Sequence, residues 1–67
     1  MISYRPFFQT MKDKNISTYK LFNAGFQSAT YYSMKKGNSI STNTIDKLCK
    51  ILNCSVDEII EYIPDEN

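Results

Sequence analysis

Apolar side chains recur along this chain at intervals of three and four, and no stretch alternates in the manner of a half-buried strand, so helices packed on helices are the fold to expect. Tyr4, Phe7, Phe8 and Met11 fall at i, i+3, i+4 and i+7. With Ser3 as a cap and Pro6 in the first turn, where a missing N–H costs little, they predict a helix over residues 4–13. Lys14-Asn15 breaks the pattern, and Ser17 caps a short second helix running through Leu21 and Phe22 to Ala24. Gly25 ends it, since glycine supplies the positive φ that a sharp turn needs. A third helix is expected over Gln27 to Lys36, closed by Gly37-Asn38, and a fourth after Ser41 with Ile45, Leu48, Cys49 and Leu52 on its inner face. Ser55-Val56-Asp57-Glu58 has the form of a capping box. It predicts a fifth helix carrying Val56, Ile59, Ile60 and Ile63, stopped by Pro64, with residues 64–67 as a frayed acidic end.

Residues 1–67 therefore read as one compact, all-α, five-helix domain, too short for a second core. A core of this size supports a stability of roughly 3 to 5 kcal/mol. No apolar run approaches the ~20 residues of a membrane span, and Met1 to Phe8 lacks a signal peptide's apolar stretch, so no membrane partner and a cytoplasmic location are expected. Cys49 and Cys54, with no histidine in the chain, make neither a disulfide scaffold nor a zinc site. They read as half-buried free thiols. The missing histidine also removes the commonest general base and the Ser-His and Cys-His couples. Neither an enzyme nor a cofactor nor a metal centre is expected.

The net charge of +1 conceals a division. Residues 1–36 set Arg5, Lys12, Lys14, Lys20, Lys35 and Lys36 against Asp13, for +5. Residues 37–67 set Lys47 and Lys50 against six carboxylates, for −4. One side can then approach a polyanion while the other stays solvated.

The informative unit is residues 17–36: a short capped helix, a glycine turn, and a helix whose wheel separates Tyr31, Met34 and Gln27 from Ala29, Tyr32, Ser33 and Lys36. Two helices joined by a glycine-containing turn form the helix-turn-helix layout, in which the second helix enters the DNA major groove. A groove roughly 12 Å wide admits a helix whose base-facing side chains are not all bulky. Gln27, Ser28, Ala29 and Ser33 suit that demand.

On Ile16–Leu21, Gly25-Phe26, Thr30-Tyr31, Met34–Gly37 and the long run Ser41–Ile60, the sequence resembles the Cro/C1-type (XRE-like) helix-turn-helix family of transcriptional regulators, over about residues 4–62. The resemblance implies a lambda-repressor-like fold and double-stranded DNA as partner. It also implies base contacts from Gln27, Ser28, Ala29, Tyr32 and Ser33, and a phosphate contact from Thr18. Lys20, Lys35, Lys36 and Asn38 are further phosphate candidates, since an ammonium is a point charge on a flexible stem. Gln27 can pair bidentately with adenine, and the Ala29 methyl can meet a thymine methyl. Leu21-Phe22-Asn23-Ala24-Gly25 departs from the family pattern: the turn glycine comes one residue early and Phe22 takes a small residue's place. A trimmed second helix or an altered turn follows.

The expected function is sequence-specific repression, as in a phage or mobile element, by occlusion of a promoter. Single domains with few phosphate contacts bind weakly, at about 10⁻⁴ to 10⁻⁶ M non-specifically, which points to a homodimer on a near-palindromic site. Ile59, Ile60, Tyr62 and Ile63 are the dimer candidates. The alternative is a helix-turn-helix scaffold binding a protein partner, as an antirepressor, antitoxin-like or inhibitor module. Phe22 and the tyrosines near the reading face favour it, since aromatic residues are enriched at protein interfaces.

Overall fold

The structure, a computed structural model, describes residues 1–65. In chain order they form strand β1 (Ile2–Ser3), helices α1 (Arg5–Asp13), α2 (Thr18–Asn23), α3 (Ser28–Lys35) and α4 (Thr42–Leu52), a 3-10 turn (Val56–Glu58) and strand β2 (Glu61–Tyr62).

Local chemistry sets the helix ends. Ser17 and Ser41 hold extended backbone angles, and their side chains accept from the Lys20 and Thr44 amides, each satisfying a donor the first turn leaves free. Ser3 also accepts, at 3.1 Å from the Arg5 amide, although Tyr4 occupies the cap position of α1. Each helix stops at a left-handed residue, in order Asn15, Gly25, Gly37 and Asn53, the residue types that adopt positive φ at least cost. After α2 the Phe26 amide returns to the Leu21 carbonyl and Gly25 to Phe22; after α3, Asn38 returns to Ser33 and Gly37 to Met34. These paired bonds satisfy carbonyls that the helix leaves open and turn the chain sharply.

The core takes Tyr4, Phe7 and Met11 from the α1 side, Leu21 from α2, Phe26 from the turn, Tyr31 and Met34 from α3, Leu48 and Leu52 from α4, and Ile59. Two hydrogen bonds tie distant segments across it. The Tyr4 hydroxyl donates to the Asn38 carbonyl at 2.6 Å, and the Thr10 hydroxyl donates to the Glu58 carbonyl at 2.8 Å.

The fifth helix does not form, and the fold is mostly helical rather than all-α. Both halves of the Ser55/Glu58 capping box are present, yet they start a single 3-10 turn. Ile59 then drops into the core with no exposed surface, and Glu61–Tyr62 pairs antiparallel with Ile2–Ser3, Ile2 opposite Tyr62 and Ser3 opposite Glu61. The Ile59 and Ile60 amides both return to the Val56 carbonyl and close the turn, after which the Ile63 amide bonds to the Met1 carbonyl, so pairing with the N-terminal segment takes the place of a further helical turn. At the expected frayed end, the Asp65 carboxylate lies 3.5 Å from the Met1 ammonium; Glu66 and Asn67 lie outside the described residues.

Candidate nucleic-acid interface

The site is built on α3. At 100° per residue its buried positions, Tyr31 and Met34, lie on one side, 6% and 1% exposed. Ser28, Ala29, Tyr32, Lys35 and Lys36 are exposed, and Gln27, the extended cap residue ahead of the helix, is exposed with them. The helical wheel sets Gln27 with Tyr31 and Met34, whereas the structure exposes it. Helical periodicity does not hold for a residue outside the helix, and the side chain stands in solvent without capping the first turn. Ser33 is half-buried, and its hydroxyl accepts from the Asn38 side-chain amide at 3.2 Å, so it is the most engaged of the five base-contact candidates.

The phosphate candidates surround this strip unevenly. Lys20, Lys35, Lys36 and Asn38 are exposed, and Lys35 Nζ lies 5.7 Å from the Tyr31 ring centroid, a cation–π approach that steadies its stem. Thr18 is half-buried at the start of α2, where it shares a groove of about 440 Å³ with Lys12, Phe8 and Tyr31.

The helix pair accommodates Phe22 without burying it among the core residues. α2 spans six residues, Leu21 takes the buried position, and Phe22 lies half-buried against α3, its ring 5.6 Å from Tyr31 and 6.3 Å from Tyr32. The large side chain that replaces a small one becomes an aromatic wedge between the two helices.

Sequence reasoning missed a second edge of the site. Gln27 and Thr30 share a groove of about 250 Å³ with Asn43, Thr44 and Lys47 of α4. Lys47 belongs by sequence to the acidic half of the chain, yet the fold sets this exposed cation beside Gln27 and the exposed strip of α3. The available signal was the Ser41 cap, which fixes where α4 begins and therefore which side chains its first two turns present.

The dimer candidates are dispersed by the loss of the fifth helix. Ile59 is fully buried and is excluded from any surface contact, while Ile60 and Ile63 are half-buried and Tyr62 is 67% exposed. Away from the strip, burial pushes the Cys54 thiol above its ordinary value; neighbouring Cys49 and Glu58 act in the same direction and Lys14 opposes them.

Among the described residues no helix is long and apolar enough to cross a membrane. No curated protein and no solved structure matches the chain. The Cro/C1-type HTH DNA-binding domain family matches residues 9–65, a span that holds α2, the glycine turn, α3 and α4. On that match, with an exposed α3 strip to serve it, the chain belongs to the Cro/C1-type helix-turn-helix DNA-binding domain family.

Proposed function

We propose that the protein is a sequence-specific transcriptional repressor of a phage or mobile element, which lays α3 in the major groove of duplex DNA and blocks polymerase by occupying its site. The observation that carries this reading is the division of α3: Tyr31 and Met34 anchor it inside, while Gln27, Ser28, Ala29 and Tyr32 stand outside, flanked by Lys35 and Lys36. Gln27, Ser28 and Ala29 read base edges at the N-terminal end of the helix, where it enters deepest. Ser33 assists, and Thr18, Lys20, Lys36, Asn38 and the additional Lys47 set the register on phosphates.

A single copy neutralising a handful of phosphates binds too weakly to hold a promoter, so two copies on a near-palindromic site complete the mechanism. Exposed Tyr62, with Ile60 and Ile63 beside it, is the proposed contact. Light scattering at micromolar concentration, with and without operator-like DNA, tests this pairing. A monomer under both conditions removes it.

A second reading has its own observation. Tyr19 and Tyr32 are 74% and 52% exposed, an aromatic surface that suits a protein partner. Selection of bound sites from random duplexes decides between the two. Recovery of a consensus sequence supports the repressor, and failure to enrich any sequence supports the protein-binding module.

A further inference from the structure

We infer that Phe22 is a positioning residue for Tyr32, and that Tyr32 with Ala29 reads a pyrimidine C5 methyl group in the major groove. This assignment rests on the DNA-binding reading above and adds to it a ligand chemistry and a residue outside the reading helix.

Three rings meet where α2 crosses α3. Phe22 lies 5.6 Å from Tyr31 at an interplanar angle of 78°, and 6.3 Å from Tyr32 at 58°; Tyr31 and Tyr32 are 5.1 Å apart at 82°. These edge-to-face and tilted contacts are geometries that aromatic pairs prefer. An exposed tyrosine on a helix ordinarily samples several rotamers, and ordering it on binding costs free energy. Tyr32 meets both the Phe22 and the Tyr31 rings, yet 52% of its surface remains exposed. The fold thus presents a pre-set ring rather than a mobile one.

What that ring can recognise follows from its neighbours. Ala29 precedes Tyr32 by three positions and shares its side of the helix, so a methyl group and an aromatic ring form an apolar step beside polar Gln27 and Ser28. Base edges in the major groove offer donors, acceptors and one apolar feature, the C5 methyl of thymine. Cytosine methylated at C5 presents the same group. An apolar step in this strip therefore matches a C5-methyl pyrimidine, and Phe22 acts on recognition through Tyr32 without touching DNA.

The test uses duplexes recovered from random DNA, with each thymine replaced in turn by deoxyuridine, an exchange that removes the methyl and keeps the hydrogen-bonding pattern. At one thymine per half-site the wild type is expected to lose roughly three- to fivefold in affinity, the worth of one buried methyl. Phe22→Leu and Tyr32→Ser should bind the thymine and uracil duplexes alike, while Tyr32→Phe, which keeps the ring, should retain the preference. At sites with cytosine in that position, tighter binding after C5 methylation assigns the methyl to methylcytosine; an effect confined to the thymine exchange assigns it to thymine. Thermal melting shows whether Phe22→Leu is folded; if it is not, the comparison of Tyr32→Ser with Tyr32→Phe carries the test. Binding with no thymine-to-uracil effect at any position, or a folded Phe22→Leu that keeps the full preference, overturns the assignment alone. Failure of the wild type to bind any duplex overturns the DNA-binding reading as well.

Discussion

The Tyr4 hydroxyl donates to the backbone carbonyl of Asn38 over 2.6 Å, joining the residue that precedes α1 to the turn that closes α3. The bond fixes the exit of α3 against the rest of the core, with Tyr4 itself 8% exposed. Tyr4→Phe keeps the ring and leaves the carbonyl short of its partner, at an expected cost of about 1 kcal/mol. Urea unfolding should show a lower midpoint with an unchanged slope, because the surface exposed on unfolding is the same.

Thr10 plays the corresponding part for the C-terminal segment. Its side chain is 6% exposed and its hydroxyl reaches the Glu58 carbonyl at 2.8 Å, holding the 3-10 turn against α1. Thr10→Val, close in shape, should cost roughly 1 to 3 kcal/mol because it leaves a partly buried carbonyl unpaired. Amide exchange should rise first at Ile59 and Ile60, whose N–H groups bond back to Val56, and in the β1–β2 pair.

The two faces of α3 should differ sharply in their tolerance of substitution. Met34 is 1% exposed, so Met34→Ala should cost about 2 to 5 kcal/mol, comparable with the whole stability of roughly 3 to 5 kcal/mol expected of so small a core. Circular dichroism at 25 °C should find a substantial unfolded fraction and a lowered thermal midpoint. Ala29→Ser, on the exposed face, should leave the thermal midpoint within a few degrees of wild type, a change of about 0.5 kcal/mol or less.

Four helices were legible because their signals are local. Ser17 and Ser41 cap within three residues, and the glycines at 25 and 37 report a required backbone conformation directly. The inward faces of α1 and α4 followed from spacing alone, as did Tyr31 and Met34. The C-terminal segment was not legible. Its capping box is real, yet the decision between helix and strand is made by Ile2–Ser3 at the other end of the chain, a pairing that no local window contains. Lys47 was hidden for a related reason: summing charge over the second half of the chain set a cation of α4 among carboxylates, when the packing of α4 puts it beside Gln27. Arg5 and Glu61, from opposite halves of the charge division, meet at 3.0 Å.

Cys54 should be a sluggish thiol. Burial, Cys49 and Glu58 raise its pKa above the ordinary value of 9.0, so the folded state holds the proton more tightly than the unfolded chain does. Alkylation by iodoacetamide at pH 8 should be slower for Cys54 in the folded protein than in urea, because the thiolate is the nucleophile. The same sign means that the contribution to stability is complete below the unfolded-state value and is lost as pH rises through the folded one. A Cys54→Ser variant should therefore show a weaker alkaline loss of stability than wild type.

DNA affinity as a function of salt tests the α3 interface most directly. In anisotropy titrations on a selected duplex, log affinity should fall linearly with log salt, at about −0.9 per phosphate neutralised. Lys36→Ala and Lys47→Ala should each reduce that slope by about one on every sequence, whereas Gln27→Ala should cost about 1 to 3 kcal/mol on the selected site and little on random DNA. A slope near zero, or affinities that all three substitutions leave unchanged on every duplex, would contradict a reading helix seated in the major groove.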